Sequence, residues 1–306
     1  MANIKFYKEY LGLNNIDDIC KYLIETFLET NYTAQFFVDW SKVFQNRDKY
    51  KCELTLFQSL HGSSNIKKDF RALIEKYPEV TKIIPCAIAV REHSLKLIEL
   101  FGSNVRYNML NFTKASYNVE ELNNITDFAE DSGLLKTVVN TANFADYILG
   151  IEVGLDSNAR KNRSGFFLEN MTEEILQNLD IDGKDGCILV KQAQFKTISS
   201  KYGINIPNEL LKNKADFAII KGNRLLNIEV NFYGGGGSKP SAIVGSFINR
   251  NRLLKSAGSC LVWLTEGPGW KVMQNFLHEG VSGIDYVINA EMLRHGALNK
   301  ILDSFS

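Results

Sequence analysis

Two acidic residues, Asp216 and Glu229, stand on neighbouring segments whose sequences are typical of β-strands. Residues 215–220 are short and apolar, residues 224–233 form a second β-prone run, and Lys221-Gly222-Asn223 between them is typical of a turn. A hairpin of this length returns Glu229 close to the level of Asp216. Mg²⁺ binds through one or two carboxylates plus phosphate oxygens. The pair therefore predicts metal-dependent phosphodiester hydrolysis, although two solvent-facing acids on an edge hairpin would have the same spacing.

The residue two positions after the second acid carries no charge. Side chains alternate across a strand, so Glu229 and Asn231 share one face of the second strand. Many metal-dependent nucleases have a lysine at this position, where its charge can lower the pKa of an attacking water or stabilise a pentavalent phosphorane. An amide can orient a water but supplies no charge. Lys239 and Lys214 are the candidates for the cation that takes over this role.

A basic segment, residues 156–165, lies ahead of these strands and is predicted to be a turn. Arginine and lysine suit phosphate and guanine, and asparagine can pair with adenine. The alternative is a solvated loop that caps the next helix, with Ser164 as the cap. The expected DNA contacts from this segment are Asn158, Arg160, Lys161, Asn162 and Arg163.

Two further features flank the acid pair. Glu169 lies in the first turns of a helix predicted over residues 165–179, where the helix dipole alone favours an acid. The functional interpretation is that Glu169 is a third acid beside the pair. The glycine run Gly234–Gly237 either lets backbone approach DNA closely or joins strand to helix. It is not a nucleotide-binding loop, because Lys239 follows Ser238, whereas that motif requires lysine before serine or threonine.

Composition limits the possible classes of protein. The 306 residues include 35 Lys plus Arg and 35 Asp plus Glu, so affinity for nucleic acid must come from a local basic surface. Five widely spaced cysteines without a CxxC pair argue against a disulfide framework or a zinc site. No apolar run reaches the length of a membrane span and no leader pattern opens the chain. We therefore expect a cytoplasmic protein with no membrane segment and reduced thiols.

The pattern along the chain predicts two regions. Residues 1–145 are predicted to be mainly helical, and residues 146–306 are predicted to form an α/β core with a central sheet. A polar stretch, residues 118–133, is the candidate boundary. Helices are expected over residues 17–30, 33–44, 67–77, 90–101, 165–179, 241–256 and 270–277, and further strands over residues 187–190 and 259–264.

Taken together, several of these segments resemble the DpnII/MboI family of type II restriction endonucleases. The resemblance implies a PD-(D/E)XK-type nuclease with a central mixed sheet flanked by helices. It also implies Mg²⁺-dependent cleavage of double-stranded DNA at GATC sites by a homodimer, whose two-fold symmetry would match a palindromic site. The segments that carry it are residues 154–165, 215–217, 228–233 and 237–240, and Ser238 joins the expected DNA contacts.

The resemblance implies roles for the acids and their neighbours. Asp216, Glu229 and Glu169 are the expected metal ligands, with Asn231 and Lys239 as further catalytic residues. Two alternatives stay open: a repair or structure-selective nuclease of the same fold, and a non-catalytic DNA-binding protein, which the uncharged Asn231 would suit.

Overall fold

The structure, a computed structural model, describes residues 2–101, 104–158, 160–235 and 239–304. Its contacts divide the chain into two units. The sheet unit consists of Met1–Tyr32 together with Asn162–Ser306, and the insert unit consists of Thr33–Lys161. The sequence predicts a division into residues 1–145 and 146–306. The units in the structure have different bounds, because the first 32 residues belong with the C-terminal sheet.

The first two helices, α1 (Ile4–Leu11) and α2 (Ile16–Thr26), belong to the sheet unit. Each begins after an asparagine whose side chain accepts a backbone N–H of the first turn. The Tyr7 hydroxyl, fully buried, donates to the carbonyl of Val287 at 2.9 Å and accepts from the N–H of the same residue at 2.7 Å. These bonds fasten α1 to the last strand of the sheet.

The insert unit is mainly helical, as the sequence predicts, but it also contains a β-hairpin. Short 3₁₀ segments lie at Ala34–Phe36 and Pro78–Ile83. The helices and strands of this unit are α3 (Trp40–Asp48), α4 (Lys51–Gln58), α5 (Ile66–Lys76), α6 (Ile84–Ala87), β1 (Ser94–Phe101), β2 (Asn104–Asn111), α7 (Val119–Asp131), α8 (Leu134–Asn140) and α9 (Phe144–Asn158).

The helix expected over residues 90–101 is wrong, because this part of the chain forms strand β1. Leu95 and Leu97 are half-buried against the core of the unit, whereas Ile98 is 63% exposed. Strand β1 pairs antiparallel with β2, which places Ile98 opposite Tyr107. Pairing with a neighbouring strand therefore decides the conformation of a segment whose apolar residues also fit helical spacing.

The polar stretch over residues 118–133 is not a linker. It contains α7, which begins with a capping box in which the Asn118 side chain accepts the Glu121 N–H and Glu121 bonds back to Asn118. Leu122, Ile125 and Ala129 lie on one face of the helix and are buried in the core of the unit. Three apolar positions at helical spacing are sufficient to bury this otherwise polar helix.

The sheet unit is built on a five-stranded mixed sheet in the order β3-β4-β5-β6-β7. The pairs β3 with β4 and β4 with β5 are antiparallel, whereas β5 with β6 and β6 with β7 are parallel. This confirms the predicted α/β core with a central mixed sheet. The strands are β3 (Cys187–Gln194), β4 (Lys214–Lys221), β5 (Arg224–Phe232), β6 (Cys260–Glu266) and β7 (Tyr286–Ile288).

Helices flank this sheet, and every residue of β6 is buried, as expected for a central strand covered on both faces. A 3₁₀ turn at Pro268–Lys271 replaces the first part of the helix expected over residues 270–277, because Pro268 and Gly269 favour a turn. The helices are α10 (Arg160–Asn178), α11 (Phe195–Tyr202), α12 (Lys239–Ser256), α13 (Gln274–Gly283), α14 (Ala290–Arg294) and α15 (Ala297–Asp303).

One buried carboxylate joins three parts of the sheet unit. Glu266, at the end of β6, is fully buried and accepts the backbone N–H of Leu28 at 2.6 Å and that of Ala290 at 2.7 Å. Leu28 follows α2, and Ala290 begins α14. The chain on both sides of the insert unit is thereby tied to one side chain.

The turn expected over residues 156–165 is also wrong. The backbone is helical up to Asn158 in α9 and again from Arg160 in α10, and residue 159 lies outside the described residues. Arginine and lysine are good helix formers, so the local composition allows helix despite its polarity.

Among the described residues, no helix is both long and apolar enough to cross a membrane.

Candidate active site

Strands β4 and β5 bring the two predicted acids opposite each other. The ladder between the two strands ends at the pair of Phe217 with Ile228, and continuing its register by one residue would place Asp216 across from Glu229. The backbone N–H of Val230 donates to Asp216 Oδ2 at 2.9 Å. The hairpin therefore places the acid pair at the end of its own ladder, as the strand lengths predict.

Asp216 lies in a half-buried position and its charge is only partly compensated. Burial raises the pKa of Asp216, while the hydrogen bond from Val230 and the positive charge of Arg250 act in the opposite direction. A carboxylate in this state gains from any further cation placed beside it.

Glu229 is more deeply buried, with 9% of its side chain exposed. Burial raises its pKa to about 7, the charge of Arg250 lowers it, and the charge of Asp216 raises it. Asn227, two residues earlier on the same face of β5, donates from Nδ2 to Glu229 Oε1 at 3.0 Å. Arg250 Nη1 lies 2.5 Å from the same oxygen.

Arg250 is a functional candidate that the sequence analysis missed. It extends from α12, its side chain is 10% exposed, and its guanidinium lies 5.7 Å from the ring centroid of Phe195 and 5.3 Å from that of Phe247. Among the described residues, its Nε has no hydrogen-bond acceptor. A buried guanidinium held by two rings is thus a fixed positive charge behind the acid pair.

Glu169 comes from α10 to the same cluster, as the sequence analysis expects. Burial and the nearby charge of Asp216 raise its pKa, and the charge of Lys214 lowers it. Gln192 Nε2 donates to Glu169 Oε2 at 3.0 Å and lies 3.5 Å from Asp216 Oδ1. The amide of Gln192 therefore lies between two of the three acids, and no motif or spacing in the sequence predicts this position.

The two other polar candidates near the acids differ in their surroundings. Lys214 is exposed, and its positive charge reaches both Glu169 and Asp216. Asn231 is half-buried, and its Oδ1 accepts the indole N–H of the fully buried Trp263 at 3.0 Å. The side chain of Asn231 is thus hydrogen-bonded to a residue of the neighbouring strand β6, whereas Lys214 faces solvent.

The remaining predicted residues stay predictions. Ser238 lies outside the described residues, and Lys239 begins α12 with its side chain outside them. The side chains of the DNA contacts expected from the basic segment also lie outside the described part of the chain, namely those of Asn158, Arg160, Lys161, Asn162 and Arg163.

The donor set suits a hard divalent cation in one way and not in another. Asp216 and Glu229 offer carboxylate oxygens from adjacent strands, and the contacts of Glu229 with Asn227 and Arg250 both go to Oε1. Across the described residues, however, no three His, Cys, Asp or Glu side chains form a group that could hold a metal. The described residues therefore do not fit a metal site in which protein side chains supply all the ligands. Mg²⁺ ordinarily keeps several waters and binds one or two carboxylates plus phosphate, which fits the acid pair.

Known proteins resemble this chain over most of its length. The family model described as DpnII restriction endonuclease matches residues 19–300. The type II restriction enzyme MjaIII of Methanocaldococcus jannaschii is 35% identical over 289 residues, covering 92% of this chain and 98% of the relative. The enzyme LlaDCHI of Lactococcus lactis subsp. cremoris is 34% identical over 304 residues, covering 97% and 98%.

A third relative carries the name of the family. The type II restriction enzyme DpnII of Streptococcus pneumoniae is 31% identical over 289 residues, covering 91% of this chain and 96% of the relative. With the family model matched over most of the chain, these similarities confirm the resemblance seen in the sequence. The chain belongs to the DpnII family of restriction endonucleases.

Proposed function

We propose that this protein is a type II restriction endonuclease that cleaves double-stranded DNA at a short palindromic site by Mg²⁺-dependent phosphodiester hydrolysis. The observation that carries the proposal is that Asp216 and Glu229 directly follow the last pair of the β4–β5 ladder and that the charge of Asp216 acts on both Glu229 and Glu169. The identity of the site, GATC, is supported by the family resemblance alone.

The roles of the acids follow from their oxygen donors. Asp216 and Glu229 hold Mg²⁺, and Glu169 completes or supports the site. When bound, Mg²⁺ supplies Lewis-acid chemistry at the phosphodiester. Burial raises the pKa values of both carboxyl groups, so the protein alone disfavours their charged forms, and a bound cation would favour them.

The surrounding side chains have supporting roles. Lys214 is exposed beside Glu169 and Asp216, where an ammonium group can meet the charge of a DNA phosphate. Arg250 is buried and contacts Glu229, so it acts on the carboxylate and not on the substrate. Lys239 is the other candidate cation. The DNA contacts come from Ser238 and from five residues of the basic segment, namely Asn158, Arg160, Lys161, Asn162 and Arg163.

We further propose that the enzyme acts as a homodimer. A palindromic site presents the same half-site twice, so two copies of this chain related by a two-fold axis can each act on one strand. Light scattering of the protein in solution, with and without a short duplex that carries the site, measures the copy number. A single copy per duplex during cleavage of both strands would contradict the dimer.

Digestion of phage DNA tests the nuclease activity and the site together. Unmethylated and adenine-methylated DNA are incubated with Mg²⁺ or with a chelator. The proposal expects discrete GATC fragments with Mg²⁺ and none with the chelator. Smeared products would indicate a repair or structure-selective nuclease, and DNA binding without any product would indicate a non-catalytic DNA-binding protein.

A matched pair of variants tests the site. Asp216→Ala is expected to abolish cleavage and to leave DNA binding, measured by gel shift, largely intact. Glu209→Ala, which removes an exposed acid of the same unit, is the control and should cut normally. Undiminished cutting by Asp216→Ala would remove the assignment.

A further inference from the structure

Gln192 has a backbone conformation that glutamine rarely adopts. Its φ is +49°, in the left-handed region, although it lies within β3, the edge strand of the sheet. The pairs on either side, Lys191 with Phe217 and Ala193 with Ala215, keep the same register. The distortion is thus confined to one residue. A residue other than glycine in the left-handed backbone region carries about 1–3 kcal/mol of strain.

The register shows what stands across from the distortion. The flanking pairs place Gln192 opposite Asp216, which on its other side lies one residue beyond the last pair of β4 with β5. The side-chain amide of Gln192 donates to Glu169 Oε2 at 3.0 Å and lies 3.5 Å from Asp216 Oδ1. An amide NH₂ has two hydrogens to donate, so one group can serve two carboxylates on different elements.

A purely structural cause does not account for this residue. A bend or irregularity in an edge strand can limit pairing with other chains, but glycine adopts a positive φ at no cost. Gln192 is exposed, so packing of its side chain in the core does not compensate for the strain either. Among the described residues, the hydrogen bonds of its side chain go to the two acids.

We propose that Gln192 is a positioning residue of the active site, whose amide holds the carboxylates of Glu169 and Asp216 in the arrangement that binds the divalent cation. The proposal rests on the proposed function, since it assigns those acids to the metal. The left-handed backbone is what directs the amide toward both carboxylates. Neighbours that orient metal ligands typically change metal affinity 10- to 100-fold when they are replaced.

Two substitutions separate positioning from stability. Gln192→Gly removes the amide and also relieves the backbone strain, so the urea midpoint should equal or exceed that of the parent protein. Gln192→Met keeps the size and the strain but removes the amide, so its midpoint should lie below that of Gln192→Gly. Both should weaken Mg²⁺ binding by roughly 10-fold or more.

The measurement is calorimetric titration of the DNA-free, full-length protein with Mg²⁺, together with urea denaturation and DNA cleavage over a range of Mg²⁺ concentrations. We expect weaker Mg²⁺ binding in both variants and recovery of cleavage at high Mg²⁺ with KM for DNA unchanged. Gln194→Gly, which changes an exposed glutamine of the same strand, is the control and should leave Mg²⁺ affinity unchanged.

Asp216→Asn, titrated in parallel, distinguishes the two proposals. If Asp216→Asn loses Mg²⁺ binding and cleavage while both Gln192 variants keep the parent affinity, the positioning role is overturned and the proposed function stands. If Asp216→Asn itself binds Mg²⁺ and cleaves normally, the proposed function fails. A Gln192→Gly protein that is less stable than the parent and binds Mg²⁺ equally well would show that the residue is only structural.

Discussion

Arg250 Nη1 on α12 lies 2.5 Å from Glu229 Oε1 on β5, and both side chains are about nine-tenths buried. The pair therefore joins a helix to the sheet at the acid whose partner, Asp216, stands on the next strand. A buried pair of this kind is costly to break from one side, because the remaining charge is left without compensation.

Arg250→Met is predicted to lower the free energy of unfolding by about 3–5 kcal/mol. The double variant Glu229→Gln/Arg250→Met removes both charges and should recover most of that loss. Urea denaturation measures both. Arg252→Met, on the same helix but exposed, is the control and should change stability by less than about 0.5 kcal/mol. A loss below 1 kcal/mol in Arg250→Met would mean that the ion pair is absent in solution.

The hydrogen bond between Trp263 Nε1 and Asn231 Oδ1 is predicted to stabilise the sheet measurably. Asn231→Leu leaves a buried indole N–H without an acceptor, which should cost about 1–3 kcal/mol. In a Trp263→Phe background the same change should cost about 1 kcal/mol less, because the donor is already gone. Equal losses in the two backgrounds would show that the bond contributes nothing.

The free energy of unfolding is predicted to decrease as the pH rises, because the pKa of Glu266 is raised in the folded protein. Burial raises its pKa to about 7, and the bonds from Leu28 and Ala290 lower it only in part. The ordinary value is 4.5, so between about pH 4.5 and 7 the folded protein holds a proton that the unfolded chain has lost. The free energy of unfolding should therefore decrease over this window, by on the order of 3 kcal/mol.

The variant Glu266→Gln provides the control for that pH dependence. It cannot titrate, so its free energy of unfolding should vary less between pH 4.5 and 7 than that of the parent protein. Some slope should remain, because the pKa of Glu229 is also raised to about 7. A variant with the same pH dependence as the parent would assign the effect to other groups.

In the insert unit, Arg91→Met is predicted to destabilise the fold by about 2–4 kcal/mol. Arg91 contacts both oxygens of the fully buried Glu152, at 2.6 and 2.7 Å. Burial raises the pKa of Glu152, but the hydrogen bonds from Arg91 and Asn46 outweigh it, and the pKa is lowered. Thermal denaturation measures the loss, and Lys136→Met, an exposed change in the same unit, should have little effect.

The acid pair could be predicted from sequence because its geometry is local. The turn in the structure is the two residues Gly222 and Asn223, one fewer than the sequence predicts, because Lys221 pairs with Arg224. A turn this short still keeps Asp216 and Glu229 close to the same level of the hairpin, so the sequence predicts them together. The strands β3 and β6 and the helices α5 and α12 were also recognisable, since each has an apolar pattern of its own.

The partners of those acids could not be predicted, because tertiary contacts select them. Arg250 and Arg252 are two positions apart on one helix and look alike in sequence, yet one is buried against Glu229 and the other is exposed. Nothing in the sequence indicates that Gln192 has a left-handed backbone. The same reason explains strand β1, whose conformation depends on pairing with β2.

The ties of Tyr7 to Val287 and of Glu266 to Leu28 have a consequence for synthesis on the ribosome. The first two helices emerge early, but the strand and the carboxylate that receive them are made only after the whole of residues 33–161 and most of the sheet. The apolar faces of these helices therefore have no sheet to pack against during most of translation. The packing of α1 and α2 on the sheet is expected to be among the last steps of folding, although both helices are synthesised early.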